Sequence, residues 1–303
     1  MSVVEISNLA QFFEVIAEAR RGHQRTPRGP LSNITFYRGH AVKDWQLEPR
    51  LFRENLHSEE QNLVSDVRRL IPQEFAGMSR FQQLAKMQHL GLPTRLLDVT
   101  TNPLVALFFA CISHPDDDGE LIIVPNLVTQ NEESWTVEII MDSLFHTEWG
   151  NVKVEDALRR LAHLRPRIDR QLLLTVLENP WTAVLPHHSN PRLTAQSGAF
   201  VIAGMKTPDS MEADTWRFLP QPLPQSLGRQ LDTLAHPAPD RMRVPAVAKP
   251  KLLSELHMID VTRWSLFPEP EHQIRFIYES YRETRHGSFT RMPSHTVGTP
   301  PSA

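Results

Sequence analysis

The period of the apolar positions changes several times along the chain, and each change marks an element. After Asn8, the residues Leu9, Phe12, Phe13, Ile16 and Ala17 recur at helical spacing, which predicts a helix over 7–21 capped by Asn8. "NITFYRG" is rich in β-branched and aromatic residues and predicts a short strand stopped by Gly39. "DWQLEPRLFR" sets Trp45, Leu47, Leu51 and Phe52 around Pro49, an irregular segment pinned by its apolar residues. Residues 58–71 predict a charged amphipathic helix, with Ser58 and Gln61 at capping-box spacing. A second helix is expected from about Gln73 to Leu90, ended by Gly91 and Pro93. "RLLDV" reads as a buried strand. "NPLVALFFACI" reads as a buried helix, with Asn102 as cap and Pro103 at its first position.

"ELIIVPN" is a further strand, and residues 138–178 read as mostly helical, broken at Pro166. "WTAVLPHH" and "AQSGAFVIAG" predict strands flanking the loop "HSNPRLT". Residues 206–242 are proline-rich and weakly patterned, an expected irregular insertion. "RVPAVAKPKLLSELHMIDVTRWSLFP" gives strand, helix and a short helical turn, and 270–284 a last helix. From Arg285 the Ser-, Thr- and Pro-rich tail to 303 is expected to be disordered. Helices and strands mix without strict βαβ alternation, which predicts an α+β fold. The expected division is an N-terminal helix and basic loop over 1–29, a main domain over 30–284, and the tail.

Composition narrows the classes. The 303 residues are 40% hydrophobic and 22% charged, with a net charge of −3, so no global charge draws the chain to nucleic acid or anionic lipid. A single cysteine, Cys111, rules out an intramolecular disulfide and Cys-based zinc sites, and fits a reducing cytoplasm. The N-terminus lacks a secretory pattern, and no apolar run approaches membrane-spanning length, so a cytoplasmic protein without membrane association is expected. Gly-x-Gly-x-x-Gly, Walker, Gly-x-Ser-x-Gly and His-Glu-x-x-His patterns are all missing.

Polar residues in apolar surroundings carry the candidate chemistry. Arg38 sits at the end of an apolar strand, where its guanidinium needs either a carboxylate partner or an anionic ligand such as a phosphate. His89, Thr94, Arg95, Asp98 and Thr100 fall within twelve residues, and strand alternation puts Asp98 and Thr100 on one side just before a helix N-terminus. The bland alternative is helix capping by Thr100, Thr101 or Asn102, with an Arg95–Asp98 or Arg38–Asp98 ion pair. Adjacent His187 and His188 are a weak metal signal, because neighbours on a strand point opposite ways, and no metal is expected. Gln196 precedes Gly198, which permits close approach by a neighbour or ligand. Glu74, Glu120 and Glu255 read as solvated residues, and Cys111 as an inert core thiol.

"FYRG" at 36–39, "WQLEPRLFR" at 45–53, "QHLGLPTRLLDVTTNPLVALFFA" at 88–110, "NPRLTAQSGAF" at 190–200 and "KPKLLSELHMIDVTRWSLFPEPE" at 249–271 together resemble the FRG domain, named for its Phe/Tyr-Arg-Gly motif. That family is widespread in bacteria and their mobile elements, which implies a toxin or phage-defence role. Its motif order is similar to that of ADP-ribosyltransferases, which implies a mixed sheet core with surrounding helices and NAD as cofactor. The resemblance implies that Tyr37, Arg38 and Gly39 form the phosphate-holding motif, that Thr100 (or Thr101) holds the nicotinamide ribose, and that His89, Thr94 and Arg95 help bind the cofactor. Gln196 falls where a Gln-x-Glu motif would start, but Gly198 stands in place of its glutamate. Asp98 is then the best-placed substitute carboxylate, and Arg38, Asp98, Thr100 and Gln196 form the expected catalytic set. Two functions follow: transfer of ADP-ribose to a protein or nucleic-acid acceptor, or non-catalytic sensing of a nucleotide or phosphorylated ligand. Either one leaves room for a regulatory partner protein.

Overall fold

Strands β1 (Val4–Glu5), β2 (Phe36–His40), β3 (Leu96–Thr100), β4 (Gly119–Val124), β5 (Val128–Asn131), β6 (Trp181–Leu185), β7 (Gly198–Ala203) and β8 (Arg241–Val244) join in one mixed sheet of order β1-β8-β4-β2-β3-β7-β6-β5. The computed structural model describes residues 4–23, 34–124, 127–146, 154–178, 181–187, 190–203 and 241–285. Pairs β1–β8 and β5–β6 are parallel and the rest antiparallel, giving the α+β architecture that the element pattern predicts. The first helices are α1 (Leu9–His23), α2 (Arg50–Arg53), α3 (Glu60–Leu70), α4 (Arg80–His89) and α5 (Pro103–Cys111). Then come α6 (Trp135–His146), α7 (Val154–Leu164), α8 (Arg170–Glu178) and α9 (Pro191–Ala195). The last are α10 (Lys249–His257), α11 (Arg263–Leu266) and α12 (Pro270–Arg285).

Strand alternation divides the core in two. Phe36, Ile122 and Val124 join a cluster with Leu84 of α4 and Leu144 of α6. Their neighbours Tyr37, Leu121 and Ile123 join a second cluster with Phe12 of α1, Leu107 of α5 and Leu252 of α10. Both faces of β4 are thus buried, and so its run of Leu121–Val124 is apolar without a break. Helix α5 lies directly on the centre of the sheet. A Cβ on Gly39 would stand 1.9 Å from the Ala106 carbonyl oxygen, and one on Gly119 would stand 2.4 Å from that of Ala110. The glycine of "FYRG" therefore admits the α5 backbone, and β2 continues through it to His40 instead of stopping there.

Several boundaries differ from those expected. The helix expected over 73–90 is split: a 3₁₀ turn covers Pro72–Phe75, Gly77 turns the chain at φ 74°, and α4 starts at a Ser79–Gln82 capping box. Helix α3 starts at Glu60 after a 3₁₀ turn over His57–Glu59, and its N-cap makes no side-chain bond, so the Ser58–Gln61 box does not form. The "HSNPRLT" loop contains α9, capped by Asn190, whose side chain accepts from Arg192 N at 2.9 Å. Gln196 is the C-cap of α9, not a strand residue, and Ser197 follows at φ 45° before β7 begins at Gly198. The expected insertion over 206–242 lies outside the described residues except for the start of β8, as does the tail beyond Arg285. The caps at Asn8 and Asn102 form as expected, accepting from Gln11 N and Leu104 N at 3.0 Å each.

Candidate functional site

Strands β2 and β3 pair only at Tyr37 and Thr100. Beside that junction a cleft of about 780 Å³ opens between the strands and helices α4 and α9. It falls within the roughly 300–1,000 Å³ typical of small-molecule and cofactor sites. Tyr37, Arg38, Gly39, His89, Asp98, Thr100 and Gln196 all line it, although they are scattered over 160 residues of sequence. Thr94, Arg95 and Thr101 do not line it.

Arg38 is half-buried. Its Nε donates to His40 Nε2 at 3.1 Å and its Nη1 donates to the Asp98 carbonyl oxygen, while Nη2 makes no hydrogen bond among the described residues. The Asp98 carboxylate is not within ion-pair distance, so Arg38 is placed by a neutral ring and a backbone carbonyl. Burial lowers its pKa, opposed by the charge of Asp98 and reinforced by Arg53. His40 is buried and driven down to about 3, by desolvation first and then by Arg38, Arg241 and Arg53. It is therefore neutral at physiological pH, and its Nε2 lone pair orients the guanidinium.

Asp98 presents its side chain to the cleft, yet the protein crowds it on its other sides. Desolvation raises its pKa, opposed by Arg38, by Arg192 and by the hydrogen bond from Gln88. Gln88 Nε2 donates to Asp98 Oδ1 at 2.8 Å. Thr94 donates its hydroxyl to Gln88 Oε1 and accepts from Leu96 N at 3.2 Å. The Thr of "GLPTRLLD" thus acts through Gln88 on the Asp of the same motif. Arg95 turns the other way: its Nε lies 2.8 Å from Glu60 Oε2, and both side chains are almost fully buried. Neither of the ion pairs considered for Asp98 is formed, and Arg95 ties β3 to α3.

Thr100 is buried, and its hydroxyl donates to the Gln196 carbonyl at 2.7 Å and accepts from Asn102 N at 3.0 Å. Thr101 N donates to the Ser197 carbonyl at 3.0 Å. Gln196 Nε2 donates to the Leu266 carbonyl at 3.0 Å. These bonds join the β3 end, the α9–β7 turn and the C-terminal end of α11 into one wall.

Two contributors, Glu132 and Glu269, escaped the sequence reading. Glu132 is buried in the cleft, accepting from Gln82 Nε2 at 2.6 Å and from His187 N at 2.8 Å. Glu269 and Arg192 also line the cleft. Glu132 stands in no motif and directly follows β5, whereas Glu269 lies at the end of the 249–271 stretch, after α11. Phe81 and Phe200 pack edge to face at 5.7 Å and, with Phe109, supply apolar wall.

Among the described residues no helix is long and apolar enough to cross a membrane. The FRG domain family model matches residues 33–119, a span that holds Arg38, His89, Asp98 and Thr100 but not Gln196. Comparison with curated proteins and with solved structures found no match.

Proposed function

We propose that this chain, whose residues 33–119 are an FRG domain, binds NAD or a related pyrophosphate dinucleotide in the cleft and transfers ADP-ribose from it. The reading rests on Arg38: a half-buried guanidinium, pre-oriented by His40, with Nη2 unbonded at the wall of a cleft of cofactor size. Such a fork is matched by a phosphate oxygen. In the transfer, the glycosidic C1′–N bond breaks and nicotinamide leaves with the bonding pair. A nucleophile on the acceptor then forms the new bond at C1′ and gives up its proton. Asp98 is suited to take that proton, because it faces the cleft and desolvation by the protein behind it raises its basicity above that of an ordinary carboxylate. Developing positive charge on the ribose is also stabilised by a carboxylate held in a desolvated wall.

A second reading is supported by the Thr100 hydroxyl and the Gln196 amide. Both are committed to backbone carbonyls, and Gly198 replaces a glutamate at the third motif. On that reading the same cleft senses a nucleotide without chemistry. A toxin or phage-defence role in a bacterial cytoplasm, with a macromolecular acceptor and a regulatory partner, is the biological setting that the family resemblance supports for either reading.

Incubation with radiolabelled NAD and cell lysate, beside Arg38→Ala and Asp98→Asn, separates the two. Label transferred by the wild type and lost in both variants supports the transferase. NAD binding lost in Arg38→Ala, with no transfer by any form, supports the sensor. Absence of both binding and transfer refutes the dinucleotide proposal.

A further inference from the structure

Of the three carboxylates that line the cleft among the described residues, two are satisfied and one is not. Asp98 accepts from Gln88, and Glu132 accepts from Gln82 and His187 N. Both oxygens of Glu269 are buried and accept no hydrogen bond from the described residues. Among the described residues its cation partner is Arg192 Nη1, 3.7 Å from Oε1, beyond hydrogen-bond length. Arg192 is held as loosely: its guanidinium stacks over Phe267 at 4.8 Å, and it faces Asp98 only through space. A buried carboxylate without donors costs stability, and such groups ordinarily have partners. Glu269 sits at the N-cap position of α12, where its backbone carbonyl accepts from His272 N and Gln273 N at 3.0 Å each, but its carboxylate takes no part in the cap.

The segment that carries Glu269 is fastened to the cleft. Gln196 bonds the Leu266 carbonyl, and Arg192 lies in the adjoining α9. A carboxylate with two unbonded acceptors beside a loosely held guanidinium matches one chemical unit in particular. A ribose phosphate brings hydroxyl donors for the carboxylate and an anion for the arginine.

We infer that Arg192 and Glu269 form a ribose-phosphate subsite of the cleft, in which ligand hydroxyls replace the missing donors to Glu269 and a ligand phosphate engages Arg192. The inference rests on the dinucleotide reading above and adds to it the group that reads sugar. It also places a carboxylate against the ribose, where Gly198 leaves the third motif without one.

The test uses full-length protein and two probes, ADP-ribose and inorganic pyrophosphate, with calorimetric affinities and the thermal midpoint of the free protein. Glu269→Gln is expected to weaken ADP-ribose by about ten- to a hundredfold, the value of hydrogen bonds to a charged group. It should leave pyrophosphate binding unchanged or tighter, because a negative charge is removed. The midpoint of the free variant should hold or rise, because an unsatisfied carboxylate has been relieved. Arg192→Ala should weaken both probes. A midpoint several degrees lower in Glu269→Gln, or equal weakening of both probes, makes Glu269 structural and overturns the inference. ADP-ribose binding that ignores Glu269→Gln overturns the inference and leaves the dinucleotide reading standing. Wild-type protein that binds pyrophosphate but not ADP-ribose or NAD overturns both.

Discussion

At the scale of single residues, the two charged members of "PTRLLD" behave oppositely because one has a partner inside the fold and the other faces the cleft. Arg95 and Glu60 are almost fully buried and bonded at 2.8 Å. Glu60→Ala leaves Arg95 without that carboxylate and is expected to cost about 3–5 kcal/mol in denaturant unfolding. Asp98 shows the reverse. Desolvation by the protein crowded around it raises its pKa above the ordinary 3.8, so the folded chain holds the proton more tightly than the unfolded chain does. The resulting stabilisation is present below the unfolded pKa and is lost as pH rises through the folded one. At pH 7 the ionised carboxylate therefore weakens the fold, and Asp98→Asn should raise the thermal midpoint there. The gain should shrink toward pH 3, and a gain that grows on acidification would contradict the assignment. Cys111 is buried, and desolvation pushes its thiol up to about 12. It should resist alkylation in native protein and react only in denaturant.

Among elements, the contact of α5 with β2 and β4 decides where the site can form. Gly39→Ala would place a Cβ 1.9 Å from a backbone oxygen of α5, which must then lift off the sheet. The variant should be recovered unfolded or aggregated, as read by circular dichroism and size-exclusion chromatography. Its loss of function would report on packing and not on ligand contact. Lys249 acts across the same layer. Its buried ammonium donates to the carbonyls of Ala41, Ser113 and His114 at 2.8, 3.1 and 2.7 Å. It joins the turn after β2 to the turn after α5, and Lys249→Met should lower stability by several kcal/mol because three carbonyls lose a charged donor.

Across the whole molecule, the cleft is assembled from β2, β3, α4, α9 and the segment before α12, so ligand binding should be felt globally. Saturating NAD at about a hundredfold over Kd stabilises a folded chain by about 2.7 kcal/mol. The expected upward shift of the midpoint should vanish in Arg38→Ala. A shift that survives that substitution would place the ligand elsewhere.

Local order alone determined much of this protein. The α+β class, the caps at Asn8 and Asn102, the buried α5 and the strand ending in Thr100 follow from spacing and capping chemistry over a few residues. The motif residues Arg38, His89, Asp98 and Thr100 were also legible, because charged or hydroxylic side chains in apolar runs stand out. Partners were not. That Arg95 pairs with Glu60, Thr94 with Gln88 and Gln88 with Asp98 depends on which elements meet, and spacing along the chain does not encode that. The tertiary structure also decided that Arg38 is held by a ring nitrogen and a carbonyl, and that Glu132, Arg192 and Glu269 join the cleft. Glu132 lies outside any motif, and all three reach the cleft because packing brings the segments after β5, before β7 and before α12 together beside β3. Hydrophobic periodicity records which face of an element is buried, and burial is a property of one segment. A binding site is a property of several segments, and its geometry exists only once they are packed.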